Sequence, residues 1–331
     1  MRAFILVAAL GLMAPAAPAF AFDCAKARTK VETAICADPK LKAADDAMTA
    51  VYDKLHAAAD AAAKEALRLS QLRWIAQREG CAYPDAPDIP GCAREFTAKR
   101  QAVLTASPET GPGDGSGLAP WFVQREGKKG GWDIRFDLVR FAQPQSAGEE
   151  LFNREITALL TPALLENSTL GTATLIVARD RIYAYGVTLT PTYASKRLIS
   201  ALAEGYEDRG GAHPITWSRA INVALDDGHR LGFSDVFPKE AVGIFAKLCA
   251  DQLIAARRVR NGDAAINLEE GADEVILAHV KNFETWSFRA DKATLLFDPY
   301  LIGAWAEGPY TCEIEMPELR AHALPGGLLP P

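Results

Sequence analysis

The residues best placed to do chemistry in this 331-residue chain are its six cysteines, Cys24, Cys36, Cys81, Cys92, Cys249 and Cys312. Thiols hold metals, run redox reactions or close disulfides. A structural zinc site uses closely spaced ligand pairs such as Cys-x-x-Cys. The chain has no such pair, and His56 is the only histidine among the first four cysteines. An even number of cysteines in an exported chain favours disulfides. The first four allow three pairings, and the sequence does not choose among them. A local pairing is feasible: Thr29 and Glu32 have the form of a capping box, so a short helix starts at Lys30 and delivers Cys36 at its end. The residues before it can fold back and bring Cys24 to Cys36. Cys81 with Cys92 then staples the proline-rich loop 83–90, and Cys249 with Cys312 follows by elimination.

A second constellation is Asp226, Asp227 and Gly228, which superficially resembles the metal-binding Asp-Asp-Gly of polysaccharide deacetylases. That chemistry also needs two histidines one helical turn apart, and His56, His213, His229, His279 and His322 supply no such pair. Asp227 and Gly228 read instead as a type I′ turn between strands 220–225 and 229–233. The Ser in the run 113–117 belongs to a linker rather than to a Gly-x-Ser-x-Gly elbow. Asp45 and Asp46 read as a solvated helix face. Trp74 and Arg78 stand one turn apart, the spacing of a cation–π pair, with Trp74 in the core. His213, before Pro214, reads as a turn histidine, and Tyr300 and Trp305 as packing aromatics; ligand contact is the sharper reading of each. No set of these residues builds a catalytic site, so the expectation is a binding protein with no metal and no cofactor. Its binding candidates are Tyr83, His213, Asp227 and Tyr300.

The elements that must position these residues fall into two groups. Arg2, an apolar run to Met13 and an Ala-x-Ala ending at Ala21 read as a cleaved export signal over 1–21. No later run is long and apolar enough for a membrane helix, so the expectation is a soluble periplasmic or secreted chain without a membrane anchor. Residues 22–105 repeat at helical spacing (Leu41, Met48, Val51, Tyr52, Leu55, then Leu67, Trp74, Ile75) and read as a small all-α bundle that needs its disulfides. Residues 106–120, dense in Gly, Pro and Ser, read as a flexible linker. From 121 to 320 the pattern is α+β with an antiparallel sheet. Ile134, Phe136 and Leu138 alternate with Asp133, Arg135 and Asp137, a helix covers 149–165, and strands 172–178 and 181–189 form a hairpin turning at Arg179 and Asp180. Helices follow at 239–259 and 272–281, and strands at 284–289, 293–297 and 310–316. The tail 321–331 reads as disordered.

Residues 22–105 resemble the N-terminal domain named after the lysozyme inhibitor LprI. The resemblance rests on Cys24, Glu32, Ile35, Cys36, Asp38, Pro39, Leu41, Asp45, Tyr52, Gln71, Trp74, Arg78, Cys81, Cys92 and Arg100. It implies an exported, helical, disulfide-bonded fold. Residues 130–320 are similar, more loosely, to the extracellular domain of the anti-sigma factor RsiV, a lysozyme receptor. Here the similarity is carried by Gly210 to His213, by Ala224 to Phe237, and by Phe297, Asp298, Pro299 and Tyr300, then Gly308 and Ile314 to Pro317.

Charge follows the same division. Residues 22–105 hold 13 Lys and Arg against 12 Asp and Glu, whereas residues 106–331 hold 22 against 30. An acidic surface disfavours nucleic acid and favours a basic partner. The resemblances and the charge together imply a binding protein for lysozyme-type muramidases. The alternative partner is peptidoglycan, bound without inhibition.

Overall fold

The computed structural model describes residues 22–82, 88–108, 117–126, 132–169, 183–262, 268 and 271–331. Helix α1 (Lys30–Ala37) starts on the anticipated capping box: Thr29 Oγ1 accepts from Glu32 N–H at 3.0 Å, and Glu32 accepts from Thr29 N–H at 2.9 Å. Asp38 ends α1 and caps α2 (Pro39–Ala58), whose first residue is a proline that has no N–H to lose. Asp60 and Asp88 cap α3 (Ala61–Glu79) and α4 (Ile89–Thr105) in the same way. Thr29 and the three aspartates satisfy orphan amides at these N-termini, and the carboxylates also complement the helix dipole. Val31, Ile35, Leu41 and Ala93 form one small core, and Met48, Leu67, Trp74 and Leu104 another. Ile75, expected on the apolar face, is instead exposed.

Disulfides join Cys24 to Cys36, Cys81 to Cys92 and Cys249 to Cys312. The first ties the entry segment to the end of α1, and the second ties the end of α3 to the start of α4. Three disulfides fit an extracytoplasmic protein, and no helix among the described residues is long and apolar enough to cross a membrane.

The helical unit is followed by an α+β unit. Strands β1 (Leu118–Glu126), β2 (Trp132–Phe141), β3 (Tyr183–Ala194), β4 (Leu198–Asp208), β5 (Ile215–Ala224) and β6 (His229–Arg230) form one sheet in sequence order. All neighbours are antiparallel except β2 and β3, which α5 (Ala147–Thr169) connects as a crossover. Alternation along β2 explains how both faces are covered. Ile134, Phe136 and Leu138 join Phe152 and Ile156 of α5 in one core, while Asp137, on the opposite face, meets Arg100 of α4. Beyond the large sheet, α6 (Phe233–Val236), α7 (Ala241–Asn261) and α8 (Ala272–Lys281) pack on a second sheet of β7 (Trp286–Phe288), β8 (Lys292–Phe297) and β9 (Tyr310–Glu315), and α9 (Met316–Ala321) follows β9 directly.

Three expectations change. The 106–120 linker is shorter, because Leu118, Ala119 and Pro120 already pair with β2. The tail 321–331 is packed rather than disordered: Leu324 N–H donates to Val236 O at 2.8 Å, Arg320 to Pro330 O at 2.9 Å, and Leu328 and Leu329 lie against the core. Its Gly and Pro hide any period, yet its leucines still have apolar surface to cover. The β5–β6 connection is not a type I′ turn. That turn needs positive φ at both central residues, whereas only Gly228 has it (φ 70°), and Gly228 N–H bonds back to Ala224 O across a four-residue loop. After Arg230 the chain enters α6 instead of extending the strand to 233. The expected strand 172–178 and its turn lie outside the described residues.

With so small a core, the helical unit leans on its staples. Closing a loop of this length is worth about 3 kcal/mol in the chain-entropy picture. Replacing Cys81 and Cys92 by serine is expected to lower the thermal midpoint by several degrees, followed by circular dichroism at 222 nm. An unchanged midpoint would show that the bond constrains nothing.

Candidate functional site

The site grows from one face of α3. Gln71, Trp74 and Arg78 fall on consecutive turns and point to the same side. Trp74 is buried and donates its indole N–H to Phe96 O at 3.1 Å, and the Arg78 guanidinium lies 4.4 Å from the centre of its ring. Arg78 also donates to Asp45 at 2.5 Å, both side chains being buried. Asp45 is therefore not on a solvated face; Asp46, which pairs with Lys42 one turn away, is the more exposed of the two. Gln71 accepts from Arg100 Nε at 2.9 Å, and this aligns Arg100 toward the sheet, where its Nη1 meets Asp137 at 3.2 Å.

Helices α3 and α4 thus lie on the large sheet, and a cavity of about 500 Å³ remains between them. Arg73 and Gln77 from α3, and Lys99 and Arg100 from α4, form its helical wall. Asp137, Thr188, Glu204 and Tyr206 come from β2, β3 and β4, and Asp298 from the loop after β8. The volume falls inside the roughly 300–1,000 Å³ typical of small-ligand sites. Lys99 bridges Glu95 at 3.2 Å and Glu204 at 3.1 Å, a second ion-pair link between the helices and the sheet. Arg73 lies flat on the sheet and donates to Arg135 O at 3.2 Å. Gly186 makes that approach possible, since a Cβ there would stand 2.5 Å from the guanidinium. Burial lowers the pKa of Arg73 and of Arg100, with Asp137 opposing it in both, and burial raises that of Asp298, which accepts from Ser218 N–H at 3.0 Å.

Beside this cavity the chain presents an aromatic cluster. His213 stacks on Trp305 at 4.1 Å between ring centres, and its Nε2 is 2.9 Å from the Tyr300 hydroxyl. Tyr300 is not a packing residue: it is 65% exposed and has a φ of 75°, a strained value for a residue with a side chain. Ile215, 52% exposed, begins the strand that follows His213. Glu307 holds the loop beneath. Its carboxylate accepts from Tyr310, Ala304 N–H and Asn261, and pairs with Arg257. The Tyr310 hydrogen bond leads the causes that bring its pKa from 4.5 to about 2.

His213 and Tyr300, both candidates from the sequence, come together here. Asp227 does not join them; it sits in the β5–β6 loop, 3.3 Å from His229. Tyr83 lies outside the described residues. The cavity's charged residues carried no sequence signal apart from Arg100 and Asp298, each of which entered only as part of a family resemblance. Asp137 looked like any polar position of an alternating strand, and the glycine under Arg73 is visible only in three dimensions. Among the described residues no group of three His, Cys, Asp or Glu side chains could hold a metal ion.

A family model described as lysozyme inhibitor LprI matches residues 24–104. No curated protein matches the chain. Among solved structures, the chain is similar to a DUF3298-family protein from Bacteroides fragilis NCTC 9343, at 17% identity over 63% of this chain and 93% of that one, with a TM-score of 0.45. It is also similar to a DUF3298-family protein from Pseudomonas aeruginosa PAO1, at 16% identity over 65% of this chain and 96% of that one, with a TM-score of 0.43.

The two links between the helical unit and the sheet differ in burial, which sets their worth. Asp137→Ala leaves Arg100 buried without a counter-charge and is expected to cost about 3–5 kcal/mol. Glu204→Ala, at a partly exposed pair, is expected to cost about 1 kcal/mol or less. Urea denaturation of both variants checks the ranking, and equal losses would contradict it.

Proposed function

We propose that this chain is an extracytoplasmic binding protein that recognises a lysozyme-type muramidase and inhibits it. The observation that carries the reading is the match of residues 24–104 to the LprI lysozyme inhibitor model, over a unit whose cysteine frame and Gln71–Trp74–Arg78 face are fully assembled. The resemblance of residues 130–320 to the RsiV extracellular domain, noted from the sequence, supports the same partner. So does charge: lysozymes are basic, and residues 106–331 carry an excess of eight acidic residues.

Two exposed features suit a protein partner. Leu72, 51% exposed, and Ile75, 37% exposed, are large apolar side chains of α3 left open to solvent, with exposed Ala76 beside them. Tyr300 projects from the aromatic cluster beside Ile215. Aromatic and aliphatic anchors ringed by polar groups are the usual hot spots of interfaces. In this reading, acidic surface steers the encounter and these anchors set the dissociation rate.

The test is lysis of a Gram-positive cell suspension by c-, g- and i-type lysozymes, with and without residues 22–331. The expected result is inhibition of at least one class, weakened by added salt and reduced tenfold or more by the double change Leu72→Asp with Ile75→Asp or by Tyr300→Ala. Lysis at the same rate with all three enzymes, together with no binding in solution, would end the muramidase reading.

A further inference from the structure

We propose that the cavity between the helices and the large sheet binds a small carboxylate-bearing ligand, its carboxylate on Arg73 and Arg100 and an N–H or O–H donor toward Asp298. The muramidase reading concerns the protein's outer surface; this site is internal, so either can fail without the other.

Charge in this confined space is unevenly matched. Three cations line the cavity. Lys99 is already matched, by Glu95 and Glu204. Arg73 and Arg100 are not matched equally. Arg100 uses Nε on Gln71 and Nη1 on Asp137, while its buried Nη2 has no acceptor among the described residues. Arg73 makes no ion pair among the described residues; its hydrogen bond there goes to the backbone carbonyl of Arg135. Both guanidiniums therefore lie near Asp137; the other carboxylate near Arg73, Asp133, is already paired with Arg135. A buried positive charge without a partner is costly, and a carboxylate offers the planar, bidentate match that guanidinium prefers.

The cavity's far side has the opposite need. Asp298 is held by the backbone N–H and side chain of Ser218 and forms no ion pair among the described residues. A carboxylate has lone pairs for a further donor on the ligand, and Tyr206, Thr188 and Thr216 provide neutral hydrogen-bonding groups nearby. Trp74 and Phe96 supply apolar wall between these polar ends. A ligand that satisfies both ends carries a carboxylate and a distal N–H or O–H. Hydroxy acids, sugar acids and short peptides share that chemistry.

Isothermal titration of residues 22–331 with N-acetylmuramic acid and with D-alanyl-D-alanine separates two sources of such a carboxylate, and N-acetylglucosamine serves as the uncharged control. At least one acid is expected to bind saturably, with affinity reduced tenfold or more by Arg73→Gln, while the uncharged sugar gives no heat. Binding by the sugar acid alone assigns a saccharide ligand, and by the dipeptide alone a peptide ligand. Because Arg73→Gln can loosen the interface, Thr188→Leu supplies a second arm: it fills the cavity, keeps both arginines, and is expected to abolish binding with the thermal midpoint preserved. The proposal is overturned if neither acid binds, if the uncharged sugar binds as well as its acid, or if affinity survives both substitutions.

Discussion

Arg100 leaves the middle of α4 and reaches a carboxylate in the middle of a β-sheet, so that one charge of each unit is buried in the other. Neither is tolerable alone: Arg100 and Asp137 are both nearly inaccessible to water, and removing either leaves an uncompensated buried group. Gln71 fixes the guanidinium from the α3 side, and Trp74, Arg78 and Asp45 fix α3 against α2 and α4. The arrangement of the small helical unit is thereby transmitted to the sheet. What forms between them is a polar cavity, since two surfaces held apart by long charged side chains do not close on each other completely.

This constraint also explains why the molecule has two kinds of recognition surface. The α3 face that carries Gln71, Trp74 and Arg78 is spent on internal contacts, while Leu72 and Ile75 of the same helix stay exposed. On the other side of the cavity, the loop bearing Asp298 also carries Tyr300. Glu307, tied to α7 through Arg257 and Asn261, keeps that loop in place under His213 and Trp305. The internal and external sites are thus built from the same elements.

Much of the framework was legible in the sequence because it depends on local rules. Thr29 and Glu32 announced α1, alternation in 133–138 announced β2, and the cysteine spacing was compatible with the pairing found. The misreadings share a cause. Asp45 looked solvated because sequence cannot show that Arg78 arrives from another helix. Tyr300 looked like packing because an aromatic residue normally is packed, and its positive φ leaves no mark in the text. Gly228 did mark a turn, but the turn's length was set by pairing between β5 and β6. The cavity is the least legible feature of all, since it depends on where α3 and α4 settle on the sheet.

The helical unit and the sheet form one cooperative body through Arg100 and Asp137. Differential scanning calorimetry of residues 22–331 tests it directly. The expected result is a single transition for the wild-type chain, with calorimetric and van't Hoff enthalpies in agreement, and two separate transitions when Asp137→Ala removes the shared carboxylate. Two independent transitions already present in the wild type would contradict it.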